Sequence, residues 1–195
     1  MTTTRRERAA AMAPEERRAA IVAAARPLLV ERGQATTTRQ IAEAAGVAEG
    51  TVFRAFATKE DLVAAVLEAE MDPDAFFAGV DAIDAHLPLR ERLIAVTELL
   101  QQRFVGIFAL MTALAVPRPP EPPSPELRRR LAERGPLRLV APDADRFRVS
   151  PEEVVRYLRL LTFSGSHPHV SDQRPLTPSE IVDVVLHGVL REGER

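Results

Sequence analysis

Residues 36–67 read TTTRQIAEAAGVAEGTVFRAFATKEDLVAAVL, and the spacing within this stretch predicts three short helices in succession. Thr37 is placed to cap the first, with Gln40 three residues on to reach back to the cap. Ile41, Ala42 and Ala45 share one face of that helix. Gly46 stands where the helix must end, because a left-handed residue costs glycine almost nothing. Val47 then makes a small apolar plug. The second helix, from about Glu49 to Phe56, is too short to persist alone and must lean inward through Val52 and Phe56. Glu49, Gly50, Thr51, Phe53 and Arg54 are left on its outward and N-terminal parts. Thr58-Lys59-Glu60-Asp61 opens a third helix with a threonine cap and an acid at its third position. Two short helices around a glycine turn form the layout of a helix-turn-helix, in which the second helix enters the major groove of DNA.

Outward from this motif, a longer helix is expected from Pro14 to Arg32, stopped by Gly33 and buried through Ile21, Ala24, Leu28 and Leu29. Pro27 lies inside it and removes the bond to Ala23, which predicts a kink. Residues 1–13, with Arg5, Arg6 and Arg8, read as a flexible arm. Residues 14–58 form the expected DNA-binding domain and 59–195 a regulatory and dimerisation domain. After the break at Asp72-Pro73, helices are expected near 74–85, 89–116, 125–134, 151–163 and 178–191. Residues 117–125 are too rich in proline to be helical. In the basic run 127–131, Leu127 and Leu131 are expected to turn inward beneath a solvated arginine face.

Composition agrees with an all-α chain, since Ala, Leu, Arg and Glu dominate and strand-like alternation is scarce. The 195 residues suffice for a small module and one larger packed domain. The absence of cysteine removes disulfides, thiol nucleophiles and Cys-based zinc sites, and fits a reducing cytoplasm. No apolar run is expected to match a bilayer span, so no membrane partner is expected. The net charge of −2 hides an asymmetry: residues 1–60 hold ten Arg or Lys against seven Asp or Glu, and the remainder is acidic. Lys59 is the sole lysine and sits at a helix N-terminus, where backbone N–H groups also attract phosphate.

The chain resembles the tetracycline repressor (TetR) family of bacterial transcription regulators at Arg39-Gln40-Ile41-Ala42, Ala45-Gly46-Val47, Gly50-Thr51-Val52-Phe53, Phe56 and Lys59-Glu60. The likeness covers roughly residues 15 to 68. Three positions depart from the family pattern: Phe53 replaces a usual Tyr, Ala55 a frequent His, and Ala48 a common Ser cap. Phe53 can still pack on sugar and phosphate but has no hydroxyl to donate. The resemblance implies a homodimeric, ligand-responsive regulator, more often a repressor, that releases a double-stranded operator when a small apolar or aromatic effector binds. On that footing Thr37, Thr38 and Lys59 hold phosphates, Arg39 adds positive charge, and Thr51, Arg54 and Glu49 face base edges, with Gly50 letting the backbone come close. The resemblance also implies an effector pocket, for which Phe104, Phe108 and Met111 are candidates. A dimer interface of C-terminal helices is implied too, with candidates Val154, Leu158, Leu161, Ile181, Val185 and Leu190. Read without the resemblance, core packing is the better explanation of Phe104, Phe108 and Met111, and the stripes of the last two helices have intramolecular core as their alternative.

Two other readings stand beside this one. A helical dimer could use its helix-turn-helix for protein contacts in place of DNA. An enzyme is disfavoured: Ser164-Gly165-Ser166-His167-Pro168-His169 lacks a nucleophile elbow, and His167 and His169 with His86 make a weak metal signal, so no cofactor and no metal are expected.

Overall fold

The computed structural model describes residues 13–116 and 124–190; the expected arm before Ala13, most of the proline-rich connector and the end of the last expected helix lie outside them. The described residues are helical, with one isolated antiparallel bridge, Phe147 to Leu190, in place of any sheet. The elements are α1 (Pro14–Arg32), α2 (Thr38–Ala44), α3 (Glu49–Ala55), α4 (Lys59–Met71), α5 (Asp74–Asp81), α6 (Leu89–Ala113), α7 (Pro125–Glu133), α8 (Leu137–Val140), α9 (Pro151–Ser166) and α10 (Pro178–Val189). Of the described residues, 13–69 and 113–115 form one compact unit, and 70–112, 116 and 124–190 the other. The first unit thus takes in most of α4, beyond the boundary expected at Thr58.

In the first unit α1, α2 and α3 pack against one another. The buried face of α1 is Ile21, Ala25 and Leu29, at strict i, i+4 spacing, with Ala24 and Leu28 only half-buried at its border. Ile21 and Leu29 are thus buried as expected, and Ala25 joins them in place of Ala24 and Leu28. The helix runs through Pro27 unbroken, with Pro27 exposed. Ile41, Ala42, Val52, Phe56, Leu62 and Val66 complete the core.

The second unit is built around Phe76, Phe77 and Val80 of α5, Leu89, Leu93, Val96 and Leu100 of α6, and the inward faces of α8, α9 and α10. By length and apolarity α6 would suffice to cross a bilayer, with a mean hydropathy of 1.4 over its most apolar window, against the expectation that no run would. Its inward residues are instead spent on this core. The starts of α7, α9 and α10 are fixed alike: Ser124, Ser150 and Thr177 accept from the backbone N–H of the third helical residue, and a proline follows each.

In the second unit, two elements have no forerunner in the sequence reading: α8 and the 3-10 run Ala141–Arg146 after it. Both are held by a charge inside the unit. Arg92 of α6 is 5% exposed, and donates through Nη1 to the Leu139 carbonyl at 2.7 Å and through Nη2 to the Asp143 carboxylate. Arg146 meets the other oxygen of Asp143 at 3.0 Å. Burial pushes the Asp143 carboxyl up, but the hydrogen bonds and charges of Arg146 and Arg92 outweigh it and hold the group below the ordinary range.

The stability contributed by ionised Asp143 is therefore complete above its ordinary value of 3.8 and is lost as pH falls through the lower folded value. Asp143→Ala, which leaves Arg92 buried and unpaired, is expected to cost about 3 kcal/mol at neutral pH. Its melting curve should also depend less on pH between 5 and 2 than that of the parent chain, as followed by circular dichroism.

Candidate nucleic-acid interface

Gly46 adopts φ +66°, and the chain around it closes two bonds, Gly46 N–H to the Glu43 carbonyl and Val47 N–H to the Ala42 carbonyl, both within 3.1 Å. That is a Schellman ending, which satisfies the last carbonyls of α2 while turning the chain toward α3. At the other end of α2, Thr37 Oγ1 accepts from Gln40 N–H and the Gln40 side chain accepts from Thr37 N–H. The same reciprocal pair opens α4, between Thr58 and Asp61 at 3.0 Å each way. As expected, α3 begins at Ala48 without a side-chain cap.

The seven residues of α3 are anchored by Val52, and by Phe56 just past its end, at 2% and 3% exposure. A third anchor escaped the sequence reading. Arg18 of α1 donates to the Ala55 carbonyl at 2.9 Å and lays its guanidinium 4.1 Å over the Phe56 ring. A cation placed on the terminal carbonyls of a helix opposes the negative end of its dipole, and the ring contact adds a cation–π term. Nothing in the local pattern of α1 marks Arg18 apart from its neighbouring Arg17, because its partners lie 37 residues away.

The outward face carries the residues expected there. Phe53 is 51% exposed, Glu49, Gly50 and Arg54 are exposed, and Thr51 is half-buried. A Cβ on Gly50 would meet open space, so the chain's own packing does not demand glycine at that position. Arg54 lies back along its helix, with Nε on the Gly50 carbonyl at 3.1 Å and Nη2 on Thr51 Oγ1 at 3.4 Å. Arg39 is exposed on α2. Thr37 spends a lone pair on its cap and keeps its proton. Thr38 differs: its hydroxyl donates to Glu49 Oε1 at 2.7 Å. Lys59 Nζ donates to the Gln34 carbonyl at 2.6 Å, one of the three bonds an ammonium can give.

In the second unit, Phe104 and Phe108 of α6 stack at 6.3 Å between ring centroids, and Phe163 meets both edge-on at 5.3 and 5.1 Å. His167 adds an edge contact to Phe108 at 4.6 Å. Phe163 and His167 were not among the expected pocket residues, since no helical spacing joins α9 to α6. Met111 is half-buried farther along α6. The interface residues expected on α9 and α10 need correction. Val154, Leu158, Ile181, Val185 and Leu190 are buried within the chain's own core, at 8% exposure or less, and Leu161 is partly buried against it. Tyr157, Leu160, Phe163 and Val184 are the large apolar residues of α9 and α10 that face outward, and of these Tyr157, Leu160 and Val184 line with Leu161 and Gly188 a groove of about 570 Å³. A stripe at helical spacing reports that a face is buried, not against what. Among the described residues no cluster of three or more His, Cys, Asp or Glu is placed to hold a metal.

Gly46→Ala isolates the cost of the turn, because an added Cβ meets nothing within 4 Å and only the backbone is strained. It is expected to lower stability by about 1 kcal/mol, read as a shift in urea midpoint with an unchanged slope. Arg18→Met is expected to lose a comparable amount, and Arg18→Lys less.

Residues 21–66 match the family described as bacterial regulatory proteins, tetR family. An uncharacterized HTH-type transcriptional regulator of Bacillus subtilis (strain 168), YvkB, is 56% identical over 41 residues, 20% of this chain and 22% of that protein. The match thus spans about a fifth of the length of the curated relative. Among solved structures, a TetR transcriptional regulator from Streptomyces coelicolor is 25% identical with a TM-score of 0.55, covering 90% of this chain and 99% of that one. A second tetR-family regulator from the same organism gives a TM-score of 0.60 at 21% identity over 91% and 80% of the two chains, a likeness of fold.

Proposed function

Since the chain belongs to the tetR family of bacterial regulatory proteins, we propose that it is a sequence-specific regulator of transcription, acting as a homodimer on operator DNA in the cytoplasm. The observation that carries this reading is the outward face of α3: a half-exposed Phe53, an unobstructed Gly50 and a reachable Arg54 on a helix whose other side is locked by Val52 and Phe56. The side chains that would touch DNA are therefore presented on a rigid support. Arg54 needs only to exchange its two bonds along α3 for a guanine edge, a bidentate contact worth about 1–3 kcal/mol of discrimination. Thr37, with its proton unspent, and Lys59, with two donors unspent, hold phosphates. Phe53 packs on sugar. The reading as a protein-contact module is not favoured, and the chain acts by binding in place of catalysis.

Dimerisation places two copies of α3 about 34–36 Å apart, in successive major grooves. The surface that supports it is the groove of Tyr157, Leu160, Leu161, Val184 and Gly188, where the exposed Gly188 gives a partner helix room for close approach. The aromatic cluster of Phe104, Phe108, Phe163 and His167 supports an apolar or aromatic effector, whose preference for one conformation would weaken operator binding and make the protein a repressor relieved by its ligand.

Binding to the protein's own promoter DNA, against scrambled duplex across a salt series, tests the first claim. Specific affinity should fall steeply with salt, and Arg54→Ala should lose most of the discrimination, on the order of tenfold or more. Equal binding of both duplexes by folded protein would overturn it. Val184→Glu should convert the protein to a monomer by analytical ultracentrifugation and weaken operator binding, while the separated chain keeps its helical circular dichroism, because Val184 is 60% exposed on the single chain; the melting temperature should fall toward that of a monomer and lose its dependence on protein concentration.

A further inference from the structure

Thr38 opens α2 and Glu49 opens α3, and the hydrogen bond between them joins the two helices on the outward side of the motif. A threonine hydroxyl has one proton, and a phosphate oxygen only accepts. While the bond to Glu49 stands, the Thr38 side chain has nothing to give the DNA backbone. What the bond does instead is fix a carboxylate at the first turn of α3, the part of a recognition helix that reaches base edges. Glu49 is exposed, no cation pairs with it among the described residues, and its second oxygen, Oε2, is free of protein partners there.

A fixed carboxylate on a surface that meets a polyanion is repelled unless it finds a donor. In the major groove the donors are exocyclic amino groups: cytosine N4 and adenine N6. Guanine offers two acceptors, and thymine an acceptor and a methyl group. Adenine sets its N7 acceptor beside the amino group, against the carboxylate, whereas the cytosine edge carries the donor without a neighbouring acceptor of its own. Resting on the reading of α3 as the recognition helix, we infer that Glu49 is a specificity determinant that accepts from cytosine N4 at one position of each half-site and rejects guanine there. Thr38 is its positioning residue and not a phosphate ligand.

Selection of bound duplexes from a randomised pool, with the full chain and its variants Glu49→Ala, Glu49→Gln, Thr38→Val and Thr38→Ser, tests this. The parent should select cytosine at one position per half-site over guanine by roughly tenfold or more. Glu49→Ala should flatten that position alone. Glu49→Gln, whose amide donates and accepts, should move the preference there to adenine. Thr38→Val should soften the same position and Thr38→Ser should keep it, which a general loss of affinity would not reproduce. An unchanged motif with Glu49→Ala, or a uniform change across all positions, overturns the role of Glu49 and leaves the regulator reading standing. Absence of any motif with the parent chain overturns both.

Discussion

Seven residues are too few for a helix to hold itself together in water, since fewer than two turns cannot offset the entropy of nucleation. Both helices of the motif are of that length, so the recognition surface exists only while something else holds it. What holds α3 is the burial of Val52 and Phe56, about 1.5–3 kcal/mol each, together with the Arg18 guanidinium on its final carbonyls. What holds α2 is a reciprocal cap at one end and the left-handed Gly46 at the other. The exposed side chains contribute little to this support and are therefore free to differ between proteins that share the scaffold. Interior and exterior of the motif are two separate specifications written on alternate faces of the same few residues.

The second unit solves another problem. A helix as long and apolar as α6 needs partners, and α5, α8, α9 and α10 supply them over Leu89 to Phe104 through one aliphatic and aromatic core. Arg92 is the exception inside it. A guanidinium at that depth is tolerated because a carbonyl and a carboxylate meet it, and the same contacts give the short α8 and its 3-10 extension a place to attach. Taken alone, four residues of α8 have no more autonomy than α3. In both units a short helix is fixed by an arginine from a longer one.

Local rules were legible in the sequence wherever a few neighbouring residues complete them. Thr37 with Gln40, Gly46, Thr58 with Asp61, and the prolines that open α7, α9 and α10 each carry their explanation within four positions, and the helix boundaries they mark fall within a few residues of those expected. The outward face of α3 was legible for the same reason: the period of the helix and the need to bury Val52 and Phe56 leave only one side for the rest. What could not be read is what depends on partners distant in the chain. Arg18 and Arg92 look like surface arginines until the fold brings carbonyls to them. Gly165 lies inside α9, which runs on to Ser166, and Leu176, eleven positions away, leaves no room there for a Cβ. The inward stripes of α9 and α10 show the limit most plainly, since their period revealed burial and concealed its direction.

Lys59 carries the sole side-chain amine of the sequence, lying across the Gln34 carbonyl at the opening of α4. A reagent that seeks primary amines therefore finds, apart from the α-amino group, one address, and it adjoins the helix-turn-helix. Fluorophores or sensor surfaces attached by amine coupling would occupy the neighbourhood they were meant to observe. Because the chain has no cysteine, a single thiol introduced on the second unit would give a label of defined position that leaves that neighbourhood untouched.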